Sequence, residues 1–188
     1  MGIAHVFESG KGVSESVQPR IIVQEPQRGF FHPASKSDIL EVLGAVGPEV
    51  TYCLTTISLS RAPQATRNGL PPLGRLSVPG NIIIFEQPIP PWRLSGTVYG
   101  KDLMRLSRAG AIVEYHNAAD ATLVDWTAES LRDFILFEVL LHEVGHHILQ
   151  HYKGRRAARI ARTRDHETFA QNFADRCRAV WFGGASRE

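Results

Sequence analysis

Only two cysteines, Cys53 and Cys177, occur in the chain, far apart and outside any CxxC pair. That scarcity argues against a disulfide framework or a thiolate zinc cluster and suits a reducing compartment. Charge of one sign is also missing. Acidic and basic residues nearly cancel, 19 against 21, leaving a formal net charge of +2 and no global field to attract nucleic acid. Long uninterrupted apolar runs are absent as well. The most apolar stretch, Phe134 to Leu149, is broken by Glu138, His142, Glu143, His146 and His147, so it reads as a buried helix rather than a membrane span. The N-terminal residues lack a basic segment followed by an apolar one, and Val6 stands where a myristoylation signal wants Ser or Thr. The expectation is a cytoplasmic protein that is not membrane-associated.

What is present is ordinary for a globular protein. The 188 residues are 43% hydrophobic and 21% charged, long enough for one real core and short for two. Residues 1–19, rich in Gly and Ser, are expected to form a loose arm, and 20–188 a single domain. Strands are expected at RIIVQ (20–24), VTYCLTTISLS (50–60) and NIIIFEQ (81–87), with a hairpin from AIVEYHN (111–117) and ATLVDW (121–126). Helical spacing covers 35–47, capped by Ser35 or Ser37, and 101–110. Residues 61–80 hold so many Pro and Gly that a long loop is expected, of the kind that is often functional. PIPPWRLSG (88–96) reads as a second break. From Thr127 a helix is expected to run on to Gly154, and another over 167–182. Strands first and helices last predict an α+β domain in which late helices pack on a mainly antiparallel or mixed sheet.

Within the long helix, LLHEVGHHILQHY (140–152) places four histidines and a glutamate among apolar residues. His142 and His146 are four residues apart, about 40° around a helix, so both imidazoles leave one face and can close on one ion. Glu143 lies about 100° further round, beside such an ion without ligating it. The pattern is HExxH, and its mechanical reading is a zinc hydrolase: two histidine ligands, an open metal position for water, and Glu143 as general base. A chance match is the competing reading. Against it stands the apolar flank of Phe134, Phe137, Leu141, Val144 and Ile148, where polar groups without partners would cost about 1–3 kcal/mol each. His147 and His151 lie about 140° away from the first pair and read as a solvated or partly buried face.

The third ligand must come from a later element, because Leu149 and Tyr152 stand where a metzincin needs Gly and His. Glu167 is the first candidate; a first-turn glutamate favoured by the helix dipole, behind an Asp165 cap, is the structural alternative. His166 and Asp175 are the other candidate ligands.

At these residues the chain resembles the gluzincin metallopeptidases, and HEVGH followed by Glu167-Thr-Phe-Ala170-Gln-Asn-Phe173-Ala174 resembles locally the IrrE/ImmA family, with Gln171 where that family has Asn. The likeness covers about the last third of the chain. It implies a zincin-like fold, Zn2+ held by His142, His146 and Glu167, and Glu143 as base acting on a peptide or protein substrate. Thermolysin-like members carry Asp four residues after the ligand glutamate, where this chain has Gln171; Asp175 is the candidate to orient a ligand histidine. No helix-turn-helix segment accompanies the motif. Zincin-like architecture places an edge strand beside the cleft, for which 111–117 and 81–87 are candidates, with Tyr115 or His116 as a candidate transition-state stabiliser. The basic run KGRRAARIARTR (153–164) has no interleaved aromatics to stack on bases and reads as a solvated connector. A non-catalytic zincin-like domain that binds a peptide or protein around a structural zinc is the alternative function.

Overall fold

Ser35 opens the first helix with a reciprocal cap. Its hydroxyl accepts from the Asp38 backbone N–H, while the Asp38 carboxylate accepts from the Ser35 backbone N–H at 2.7 Å. The computed structural model describes residues 18–63, 72–153 and 164–184. Most of the expected arm, all of 64–71 and the basic run from 154 to 163 lie outside these residues.

Helix α1 (Lys36–Val46) ends at Gly47, whose φ of 96° suits glycine. It buries Ile39, Val42, Leu43 and Val46. Strands β1 (Arg20–Val23), β3 (Thr56–Ser60) and β5 (Asn81–Phe85) run parallel in that spatial order, and β4 (Gly74–Ser77) pairs antiparallel on the outer side of β5. The inward residues Ile57, Leu59, Ile82 and Ile84 are buried. A two-residue pairing joins β2 (Phe30–Phe31) to β6 (Gln87–Pro88). A second, antiparallel sheet has the order β7–β9–β8, from β7 (Trp92–Ser95), β8 (Ile112–His116) and β9 (Ala121–Asp125). Helix α2 (Gly100–Arg108) precedes β8.

The chain is thus α+β with a mixed main sheet. Four expectations need correction. Strand β4 falls inside the segment expected to be loop, and β7 inside the second Pro-rich break. NIIIFEQ is not an edge: β5 lies between β3 and β4. The strand expected over 50–60 begins only at Thr56, because residues 50–53 turn and Cys53 adopts a φ of 62°.

The long helix starts at the Thr127 cap as α3 (Ala128–Asp133), widens into a π-helical segment (Phe134–Leu140), and continues as α4 (Leu141–Lys153). Every residue of the π segment is buried. Phe134 packs on Trp126 at 5.0 Å between ring centres, and Trp126 on Trp92 at 5.3 Å, joining the second sheet to the helix. Such π segments are uncommon and frequently sit at functional sites. Helix α5 (Arg164–Gly184) begins three residues earlier than expected and lies against α4. Among the described residues no helix is long and apolar enough to cross a membrane.

Candidate metal centre

Two glycines allow neighbouring elements to approach α4. A Cβ on Gly145 would lie 2.7 Å from Ala170 Cα, closer than such atoms approach. Glycine facing alanine therefore lets α5 lie directly on the HExxH turn. On another side, a Cβ on Gly74 would lie 2.6 Å from Val139 Cγ1, so β4 runs close beside the same helix.

The close packing of α5 brings Glu167 to the histidine pair. Its Oε2 lies 3.2 Å from His142 Nε2 and its Oε1 3.4 Å from His146 Nε2. The two imidazoles are nearly perpendicular, at 86°, with centres 4.8 Å apart. All three ligand atoms fall within 4.8 Å of one another. Zinc bonds of about 2.1 Å at tetrahedral angles separate ligand atoms by about 3.4 Å, so both carboxylate–imidazole spacings already match. Two imidazole nitrogens and one carboxylate form a donor set suited to zinc, and three protein ligands leave its fourth position open. These residues fit the ion.

Glu143 is only 5% exposed, and its Oε2 accepts the backbone N–H of Leu76 at 2.7 Å. Leu76 belongs to β4, an edge strand of the main sheet. The glutamate of the motif is thereby held between its own helix and the strand edge. Nothing in the sequence pointed to this partner, since GRLS lay within an expected loop.

Asp175 and His166 stand apart from the cluster. Asp175 pairs with Arg108 at 2.9 Å and accepts from Gln171 at 3.0 Å. Gln171 also donates to Glu138 at 3.1 Å. Glu138, 1% exposed, receives Arg108 at 2.6 Å, Arg105 at 3.4 Å and Arg178 at 3.8 Å, while Arg105 also donates to the Glu138 carbonyl. Burial opposes the Arg108 charge, but Glu138 and Asp175 outweigh it and raise the guanidinium above its ordinary range. This network joins α2, the π segment and α5 one turn from Glu167. Arg105 and Arg108, one helical turn apart, were the sequence signal that could have revealed it.

His147 is buried, not solvated: at 4% exposure it donates from Nε2 to the Tyr52 carbonyl at 2.9 Å. Burial pushes its imidazole below the ordinary value despite that hydrogen bond. His151 is half-buried and meets the Tyr52 ring edge-on at 5.1 Å. Tyr115 and His116 end an exposed strand, where Tyr115 donates to Asp120 at 3.0 Å and His116 lies 3.7 Å from Glu114.

Beside the cluster, α2 and α5 enclose an open groove of about 880 Å³ whose lining includes His142 and Glu167. Neither Tyr115 nor His116 reaches it. Cys177 is buried in α5, and burial pushes its thiol up to about 11, which keeps it protonated; Cys53 is exposed. Comparison with protein-family models, with curated proteins and with solved structures finds no match for the chain.

Proposed function

We propose that the chain is a zinc-dependent metallopeptidase of the gluzincin type, with His142, His146 and Glu167 as ligands and Glu143 as general base. The observation that carries this reading is the convergence of the three ligand atoms within 4.8 Å, two of them from the helix that also holds Glu143. Bound zinc supplies Lewis acidity, acidifying water and polarising the scissile carbonyl. Glu143 accepts a proton from the attacking water and returns it to the departing amine, so that water is added across the C–N bond. Its burial against β4 keeps the carboxylate at the strand edge, where an extended peptide can add by main-chain pairing. An antiparallel edge strand beside the HExxH helix supports a zincin-like arrangement. Two free thiols support a cytoplasmic setting.

A second reading rests on the same contact. The Leu76 N–H occupies a Glu143 carboxylate oxygen, as in a structural role, which favours a non-catalytic zincin-like domain that binds peptides. One substitution separates the two. Glu143→Gln is expected to retain one zinc per chain, measured by metal analysis, while losing all cleavage of a peptide library. Cleavage equal to wild type rejects the hydrolytic mechanism, and a wild type that binds zinc yet cleaves nothing favours the second reading.

A further inference from the structure

The groove beside the histidine pair has an uneven charge. Lys101, Arg105 and Arg108 line it from α2, and Arg164 from the start of α5, against Asp102 and Glu167. Three guanidiniums, those of Arg105, Arg108 and Arg178, face only two carboxylates, Glu138 and Asp175. Arg178 lies outside the groove, and Glu138 and Asp175 match the charges of Arg105 and Arg108, so Lys101 and Arg164 are the lining cations outside that network. Lys101 and Arg164 are exposed on the opposing walls, where Asp102 is the one lining acid left once Glu167 serves the metal. Met104, 73% exposed, provides an apolar contact on the same wall as Lys101.

We propose that this groove is a substrate subsite that selects an acidic side chain, so that the protein acts on peptides carrying Asp or Glu next to the reacting bond. The proposal rests on the metallopeptidase reading for its reaction and on the groove's charge for its specificity. A groove with low-dielectric walls focuses the field of its charges, which favours an anionic segment and penalises a cationic one. Arg108 is held by Glu138 and Asp175, so it forms a fixed part of the wall. Lys101 and Arg164 reach toward solvent and meet the incoming carboxylate first. Long basic side chains suit that role, because their stems lie along the groove while the charge stays hydrated until contact.

The test separates binding from cleavage. Full-length Glu143→Gln protein, loaded with zinc, is titrated with fluorescent ten-residue peptides that differ only in carrying Glu, Ala or Lys at the central positions. The Glu peptide is expected to bind about tenfold more tightly than the Lys peptide, a difference of about 1.4 kcal/mol, and the preference should shrink as salt is raised. Adding Lys101→Glu and Arg164→Glu together should abolish or invert the order with zinc content unchanged. Equal affinities across the series, no binding of any peptide, or a preference untouched by the double reversal would overturn the proposal. Wild-type cleavage is assayed separately. Failure to cut a peptide that the zinc-loaded variant binds with acidic preference rejects the peptidase reading and leaves the subsite standing.

Discussion

Gly145 shows how much of the centre depends on the absence of a side chain. It occupies the fourth position of HEVGH and faces Ala170, three residues beyond Glu167 and so one turn along α5. A methyl group there has no space, since it would meet backbone atoms of Ala170 that cannot rotate away. Gly145→Val is therefore expected to push α5 outward, costing about 1–3 kcal/mol in overpacking and withdrawing Glu167 from both imidazoles. Chemical denaturation measures the first effect and zinc titration the second. Ala170→Gly should restore little of the zinc affinity, because the Ala170 Cα and carbonyl oxygen that meet the new side chain remain. Undiminished zinc affinity in Gly145→Val would show that α5 does not need this close contact to deliver the third ligand.

Helix α5 is also held from its other side by the Glu138 network, which ties it through Gln171 and Arg178 to α2 and the π segment. Removing the central carboxylate leaves guanidiniums facing each other around an empty position. Glu138→Ala is expected to destabilise the fold by about 3 kcal/mol, seen as a lower denaturation midpoint, and to weaken zinc binding although Glu138 touches no ligand atom in its own right. If zinc affinity stayed at the wild-type level in variant that still folds, the network would be a matter of stability alone. The sequence disclosed some of these elements and hid others for definite reasons. The α1 cap was legible only as Ser35 or Ser37, and the reciprocal bonds of Ser35 and Asp38 decide for Ser35. The β8–β9 hairpin was legible because its partners are neighbours in sequence. Strands β4 and β7 were hidden because Pro72, Pro79, Pro90 and Pro91 flank four-residue strands whose order comes from pairing with β5 and β9. His142, His146 and Glu143 could be read from helical spacing, whereas Glu138 looked like a mere interruption of an apolar run because its arginines lie 30 to 40 residues away on either side.

Across the molecule, the candidate ligands connect two helices whose nearest ligand positions are separated by the connector from 154 to 163. Helix α4 is anchored by the His147 bond to Tyr52 and, through the π segment before it, by the aromatic group around Phe134, while α5 packs against it. An ion gripped by both binds the folded arrangement and not the open chain, so it adds stability by mass action. Free zinc at about 100 times its dissociation constant should contribute about 2.7 kcal/mol, which for a chain of this length raises Tm by about 5–10 °C. His142→Ala and Glu167→Ala are expected to remove that rise while leaving the metal-free Tm close to wild type, because both side chains are partly exposed, Glu167 by 48%. His166→Ala and Asp175→Asn should retain the rise. Differential scanning calorimetry with and without a chelator reads all four variants, and a zinc-dependent rise that survives Glu167→Ala but vanishes in either His166→Ala or Asp175→Asn would move the third ligand away from Glu167.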